Sequence, residues 1–444
     1  MTGHKPKTGI LGAGKSGIAA ALLAAQKGHD VFVSEALPEF APGVQDILTQ
    51  AAIDFEYGGH SDRILTMDEI IISPGIDPRQ PFIQKIEAAR IPIISEIEFA
   101  QRYINGKIIA ITGSNGKSTT TKLTGELLKH HGVQVFYGGN LGEPLSNGVR
   151  ENTDPETVFV VEVSSFQLEK LMDFAPAVGV ILNLTPDHLD RYNAVQDYYA
   201  AKFNLTKNFT SGNTFIFNAD DRLLSSFASE LNATRRSFGL GAGAQRDAYY
   251  ADNIIHLGEL SLNTENFRLK GLHNMQNVMA SLLAVQEIIP LEPTRTEQFL
   301  QQFAGLEHRL EFVDNIAGVS FYNDSKATTL ESLQVALHSF NQVVLIAGGK
   351  NKGADFSRLR KDVANKAAHV IAIGACAADI QQKWSTVVLV ETESDFARAI
   401  HKAFTIARAK QLPVLLSPAC ASFDMFANFE DRGRQFKNLV RGLK

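Results

Sequence analysis

Residues 111–120, ITGSNGKSTT, place Gly113, Gly116, Lys117, Ser118, Thr119 and Thr120 together between the isoleucine-rich run KIIAIT and the helix-forming run KLTGELLKHHG. Only two residues separate Gly113 from Gly116, so the strict G-x-x-x-x-G-K-[ST] spacing fails. The context is still that of an anion cradle. A strand enters a glycine loop, and a helix leaves it with its backbone N–H groups and positive dipole end facing the loop. Gly113, Ser114, Asn115 and Gly116 would wrap phosphates, Lys117 would reach the β- and γ-phosphate oxygens, and Ser118 or Thr119 would meet Mg²⁺. The plain alternative is a strand-to-helix turn rich in capping residues.

An ATP site also needs metal carboxylates. VFVVEVSSFQLE puts Glu162 inside an apolar strand, where a lone carboxylate is costly unless paired or on a cation. Mg²⁺ prefers oxygen ligands, so Glu162 is a candidate. LTPDHLDRY (184–192) brings His188 and two carboxylates to the end of the next strand, where His188 could equally be a turn histidine.

A second glycine loop opens the chain. GILGAGKSG (9–17) reads as G-x-G-x-x-G through Gly12, Gly14 and Gly17, and also as G-x-x-x-x-G-K-S. The second pattern would need a strand before Gly9, and MTGHKPKT offers no apolar run. The strand is therefore placed at 7–11, followed by the helix IAAALLAAQKG. A second strand, DVFVSE, ends at Glu35, about twenty residues on, where a dinucleotide fold places its ribose-binding acid. Taken alone, the stretch reads as an NAD site or as a Rossmann-type half holding another ligand.

The elements that must position these residues alternate strand and helix throughout, which predicts α/β architecture with mostly parallel sheets. EIIISPGI (69–76) and IPIIS (91–95) complete a first segment. TVFVVEVSS, AVGVILNLT and NTFIFNADD continue the second, 235–268 reads as a β-rich insertion, and 271–288 is an amphipathic helix. VSFYNDSKAT, QVVLIAGGKNKGAD, AHVIAIGA, TVVLVE and LPVLLSPACASFDMF build a third. A chain of 444 residues is too long for one core. The expected domains are 1–96, 97–304 and 305–444. Charged residues are 20% and the net charge is −5, with no basic excess for nucleic acid or an anionic membrane surface. Two distant cysteines, Cys376 and Cys420, make neither a disulfide framework nor a metal cluster and fit a reducing compartment. HKPK precedes an apolar stretch as in a leader, but glycines interrupt it, and no run approaches the ~20 apolar residues of a membrane span. A soluble, cytoplasmic protein is expected.

The motifs TGSNGKST, EVSSFQLE, NLTPDHLDRY, GLHNMQN, HRLE, NDSKAT, GGKNKGADF and LLSPACASFDMFANFEDRG occur in one order over nearly the whole chain. Together they resemble the Mur ligases of peptidoglycan synthesis. The resemblance implies a Rossmann-like N-terminal domain for a UDP-sugar, a central P-loop ATPase and a Rossmann-like C-terminal domain for the incoming amino acid. SSFQLE and SPACASFD resemble the branch that adds D-glutamate to UDP-N-acetylmuramoyl-L-alanine through an acyl phosphate.

On that resemblance the opening loop holds a uridine diphosphate rather than NAD: Lys15, Ser16 and Gly17 line it, Glu35 lies near uracil or ribose, and Ser73, Gly75 and Asn140 help. Lys117 stabilises the transferring phosphoryl group. Glu162, with Ser118 or Thr119, takes one Mg²⁺. His188 contacts a second, and Lys202 in YYAAKF stands where the family carries a carbamylated lysine. Asn274 and Asn277 border the adenine, Arg309 and Asp324 close on the nucleotide, and Lys326 approaches the acyl phosphate. Thr328, Lys352, Ser422 and Phe429 hold D-glutamate. Without the resemblance, Lys202 reads as a surface lysine, and Ser422 and Phe429 as loop and core. One departure is Lys350, where many members carry Asp nearby; it is expected to face solvent. ATP and two Mg²⁺ ions are the implied cofactors, the two small-molecule substrates the only partners, and a monomer the implied state. The competing readings are a sister or folylpolyglutamate-type ligase adding another amino acid, an NAD-dependent oxidoreductase, and a non-catalytic nucleotide-binding regulator.

Overall fold

The computed structural model describes residues 5–443, except 141, 188–190, 193, 243–245 and 352 and the side chain of Glu331. The chain forms two compact units, Met1–Phe303 and Ala304–Lys444, and its strands form three sheets.

The first unit begins with five parallel strands, β1 (Lys7–Leu11), β2 (Asp30–Glu35), β3 (Asp54–Tyr57), β4 (Glu69–Ile72) and β5 (Ile93–Ser95), in the order β3-β2-β1-β4-β5. Helix Lys15–Gln26 lies on them through Ala19, Ala20, Ala21, Leu23 and Ala24, small side chains that let helix and sheet approach closely. The strand order reverses between β1 and β4. The loops after these two strands therefore flank the crevice where such sheets bind ligands.

Its second sheet has nine strands: β6 (Ile108–Thr112), β7 (Val135–Gly139), β8 (Val158–Glu162), β9 (Val178–Ile181), β10 (Thr214–Asn218), β11 (Thr234–Leu240), β12 (Ala248–Ala251), β13 (Ile254–Leu257) and β14 (Leu260–Asn263). The order is β14-β13-β12-β11-β10-β9-β6-β8-β7, parallel from β7 across to β12. β12, β13 and β14 form an antiparallel meander. Segment 235–268, expected as a β-rich insertion, supplies β11 to β14 and extends the sheet past β10. Asp252 and Asn253 adopt φ of 49° and 61° in the turn between β12 and β13, as a tight hairpin requires. β6 and β8 are buried along their length, as expected of central parallel strands covered on both faces.

The second unit contains β15 (Glu311–Ile316), β16 (Val319–Asn323), β17 (Val343–Gly348), β18 (Ala367–Ile373), β19 (Val390–Glu393) and β20 (Val414–Leu416), ordered β15-β16-β20-β17-β18-β19. β15 pairs antiparallel with β16 and the rest are parallel. The run TVVLVE begins its strand only at Val390. The N–H groups of Val387 and Val388 donate instead to the Trp384 carbonyl and finish the preceding helix.

Candidate functional site

The loop after β6 sits where the order of the second sheet reverses, β6 lying between β8 and β9. Gly113 (φ 147°) and Gly116 (φ 87°) take backbone conformations that side chains disfavour. A Cβ on Gly116 would stand 2.4 Å from Asn277 Oδ1, so only glycine admits helix Leu272–Gln286 this close. The loop is stitched to the segment after β9. Ser114 N donates to Asn183 O (3.0 Å), Asn115 N to Asn183 Oδ1 (2.8 Å), and Asn183 Nδ2 to Asn115 O (3.1 Å). Ser114 Oγ donates to Thr185 O (2.8 Å) and accepts from Thr185 N (2.9 Å) and Tyr198 Oη (3.1 Å).

Helix Lys117–His130 starts from this loop, with Ser118 buried and Thr119 half-buried in its first turn. Lys117 Nζ folds back onto the carbonyls of Gly113 and Ser114, at 2.9 Å each. Lys202 Nζ donates to the same Gly113 carbonyl at 2.9 Å. Lys202 is only 1% exposed, on helix Val195–Phe203, with its ammonium 4.5 Å from the centre of the Tyr198 ring. Burial, reinforced by the Lys117 charge, holds the Lys202 amine well below the usual lysine range, against the opposite pull of Asp187 and Glu162.

Glu162 closes β8 and is 2% exposed. Its Oε1 accepts from Asn140 Nδ2 at 2.7 Å, while Oε2 is buried without a hydrogen-bond partner among the described residues. A buried carboxylate oxygen left unpaired costs free energy that a bound cation would recover. Among the described residues no group of three or more His, Cys, Asp or Glu gathers to hold a metal. The donor set fits a hard cation that one carboxylate, a loop hydroxyl and ligand oxygens could share. Asn140, read from sequence as a UDP-sugar contact, is exposed and is placed on Glu162. Asn274 and Asn277 are buried on one helix face, Asn277 Nδ2 donating to Asn274 Oδ1 (3.2 Å) and Asn274 Nδ2 to Lys270 O (2.7 Å).

The loop after β1 has a different character. Gly12 (φ 88°) turns the chain, and a Cβ on Gly17 would stand 1.9 Å from the Gly12 carbonyl oxygen. Glu35 Oε2 accepts from Ala13 N (2.7 Å) and Oε1 from Leu37 N (3.0 Å), and Ser73 Oγ donates to Gly12 O (3.0 Å). Lys15, Ser16, Gly17, Glu35, Ser73 and Gly75 thus gather around the β1/β4 crevice. The exposed Lys15 ammonium lies 3.8 Å from Glu143.

In the second unit, Asp324, Lys326 and Thr328 follow β16, and Ser422 follows the adjacent β20. Asp324 accepts from Leu310 N (3.1 Å) and Ser417 Oγ (2.8 Å), and burial pushes its carboxyl up to about 7. Arg309 precedes that Leu310 contact in sequence. Lys326 Nζ lies 5.5 Å from the centre of the Phe429 ring, Thr328 N donates to Lys326 O (2.9 Å), and Ser422 is 2% exposed. Lys350 is exposed, and its backbone bridges to Ala421. His188 and Lys352 lie outside the described residues.

Sequence reasoning passed over three residues. Tyr198 stands four before Lys202 on one helix face, a spacing that would have found it. Asn183, which bonds the phosphate loop through backbone and side chain, carries no local signal. Arg432, 1% exposed, donates to Ser325 Oγ (2.9 Å), Ser325 O (2.8 Å) and Cys420 O (3.1 Å), and burial lowers it to about 10.

The chain matches the MurD N-terminal domain over residues 7–81, the Mur ligase middle domain over 111–285 and the Mur ligase glutamate ligase domain over 308–420. It is 41% identical over 444 residues to the UDP-N-acetylmuramoylalanine–D-glutamate ligase of Cytophaga hutchinsonii, covering 97% of this chain and 98% of that one. It is 37% identical over 454 residues to the enzyme of that name from Trichlorobacter lovleyi, covering 98% and 99%. Among solved structures it resembles the UDP-N-acetylmuramate–alanine ligase of Thermotoga maritima in fold, with a TM-score of 0.58 at 18% identity, covering 99% of this chain and 100% of that one.

Proposed function

Since the chain belongs to the Mur ligase family, we propose that it joins D-glutamate to UDP-N-acetylmuramoyl-L-alanine with the cleavage of ATP to ADP and phosphate. The observation that carries the ATP site is the meeting, at the reversal point of the second sheet, of a glycine loop with two lysine amines on one carbonyl and a buried carboxylate with one oxygen unpaired among the described residues.

Residues 1–96 are assigned the UDP-sugar, 97–304 the nucleotide and 305–444 the amino acid. The β1 loop offers its N–H groups and Lys15 to the pyrophosphate. The β6 loop and the start of helix Lys117–His130 take the triphosphate of ATP, and Lys117 exchanges the Gly113 and Ser114 carbonyls for phosphate oxygens. There its charge offsets what develops as the γ-phosphoryl group passes to the substrate carboxylate. The acyl phosphate so formed is attacked by the amine of D-glutamate, and phosphate leaves. Glu162, Ser118 or Thr119, His188 and a carbamylated Lys202 are assigned to two Mg²⁺ ions, which supply neutralisation of phosphate charge. A neutral Lys202 amine is the form that reacts with CO₂, and its burial favours that form. Thr328, Ser422, Phe429 and Lys352 are assigned to the amino acid. A cytoplasmic monomer completes the reading, and no helix among the described residues is long and apolar enough to cross a membrane.

The test is phosphate release with ATP, UDP-N-acetylmuramoyl-L-alanine and a panel of amino acids. Turnover with D-glutamate alone supports the proposal. Turnover with L-lysine or a diaminopimelate assigns the chain to a sister ligase, and turnover of folate with L-glutamate to the folylpolyglutamate type.

A further inference from the structure

We propose that Arg191 is a positioning residue that couples occupation of the UDP-sugar loop to the geometry of the ATP loop; this rests on the assignment of those two loops above.

Arg191 Nη1 donates to Pro74 O (3.0 Å) and Ile76 O (3.3 Å), in the loop after β4. Its Nη2 donates to Glu169 Oε2 (2.8 Å), and its guanidinium lies 4.1 Å from the centre of the Phe166 ring. The side chains of Arg191 and Glu169 are 14% and 17% exposed, so this ion pair is poorly screened and its geometry is held. The planar fork is what allows two carbonyls and a carboxylate to be served at once.

The clamp has a defined effect on the loop. In a trans peptide the C=O and the following N–H point in opposite directions, and among the described residues there are no cis peptides. Holding the Pro74 carbonyl therefore turns the Gly75 N–H away from Arg191 and fixes its direction. Ser73, in the same loop, braces the β1 loop through Gly12 O. Arg191 thus sets the posture of the two loops assigned to the UDP moiety.

From Arg191 a contiguous set of side chains leads to the phosphate loop. Phe166 packs against Tyr192 with ring centres 6.1 Å apart, and Tyr192 against Tyr198 at 5.5 Å. Tyr198 donates to Ser114 Oγ, the hydroxyl that ties the phosphate loop to Thr185. Tyr198 also underlies the Lys202 ammonium. Moving the Pro74–Ile76 carbonyls therefore displaces Arg191, the ring it covers and the stack that ends on Ser114. Such a connection is coupling only if the affinity of one site depends on the other, and linkage makes the dependence reciprocal.

The experiment measures the Kd of a non-hydrolysable ATP analogue with and without saturating UDP-N-acetylmuramoyl-L-alanine, for the wild type, Arg191→Lys and Tyr198→Phe. Wild type is expected to bind the analogue at least about fivefold tighter when the UDP-sugar is bound, the lower end of usual coupling. Arg191→Lys keeps the charge but lacks the fork. It is expected to bring that ratio below about twofold while leaving the analogue's affinity alone within about threefold, a pattern that general destabilisation does not produce. Tyr198→Phe cuts the same connection at its other end and is expected to lower the ratio too. Should Arg191→Lys fail to fold, Glu169→Gln replaces it, with the same expected loss of ratio. A wild-type ratio near one, or a ratio unchanged in the variants, overturns the inference while binding of each ligand alone leaves the functional reading standing. Failure of the wild type to bind either ligand overturns both.

Discussion

The two glycine loops begin alike and are finished differently. Each leaves a buried parallel strand at a reversal of strand order, turns on a positive-φ glycine and opens a helix. Around the β1 loop the supporting groups are a carboxylate and a hydroxyl, Glu35 and Ser73, and the lysine, Lys15, is exposed and faces the exposed Glu143 rather than the loop carbonyls. Around the β6 loop the support comes from Asn183, Thr185 and Tyr198, and two lysines, Lys117 and Lys202, turn inward onto the Gly113 carbonyl. A backbone N–H cradle is enough to bind a pyrophosphate that does not react. A phosphoryl group in transfer needs charge held in place in a site shielded from water, because only there is that charge worth several kcal/mol.

The largest expected contrast comes from removing the inward charges. Lys117→Ala should lower the ligation rate by on the order of 10² to 10³ while leaving the Kd for the UDP-sugar unchanged. Retention of more than about a tenth of wild-type turnover would remove the β6 loop from the ATP site. Lys202→Ala should be comparably inactive, with partial recovery on adding formate or acetate. Lys202→Arg, which keeps a positive charge but cannot carry the carbamate, should stay inactive; a fully active arginine variant would make Lys202 an ordinary cation.

Alanine at the loop glycines should then separate the two sites. Gly116→Ala meets Asn277 Oδ1 at 2.4 Å in a backbone conformation with φ 87°. That strain, ~1–3 kcal/mol for the backbone alone, should raise the KM for ATP about tenfold or more with little effect on the UDP-sugar. Gly17→Ala meets the Gly12 carbonyl at 1.9 Å and should do the reverse. Steady-state kinetics varying each substrate in turn reads both, and equal effects on the two KM values would mean that the loops do not serve separate ligands.

The smallest effect is expected at Glu35. Glu35→Gln keeps one acceptor oxygen and puts an NH2 donor in place of the other, so only one of the bonds from Ala13 N and Leu37 N can remain. Loss of a charge-assisted hydrogen bond of this kind costs ~1–2 kcal/mol, so the Kd for UDP should rise about tenfold by calorimetry and the Kd for the ATP analogue should not move. A shift in the latter would place Glu35 in the coupled set with Arg191.

The sequence by itself determined the α/β class, the strands that carry both loops and the identity of the lysine, hydroxyls and carboxylate at the second. These follow from local signals: apolar runs of strand length, glycines where φ is positive, and hydroxyls and a lysine at a helix start. It did not determine where segment 235–268 pairs, because that depends on the open edge of β10, a strand outside the segment. Nor did it reveal that TVVLVE starts by finishing a helix, since Trp384's carbonyl, rather than the valine composition, decides those residues. Lys202 read alone as a surface lysine; only the fold of helix Val195–Phe203 against the loop after β6 buries it and lowers its affinity for a proton. The Glu162 oxygen left unpaired among the described residues, the support from Asn183 and the Arg191 clamp are likewise tertiary facts. Each joins residues from different elements, and the free energy of a buried charge or hydrogen bond is set by what surrounds it in space, to which sequence neighbours contribute only a part.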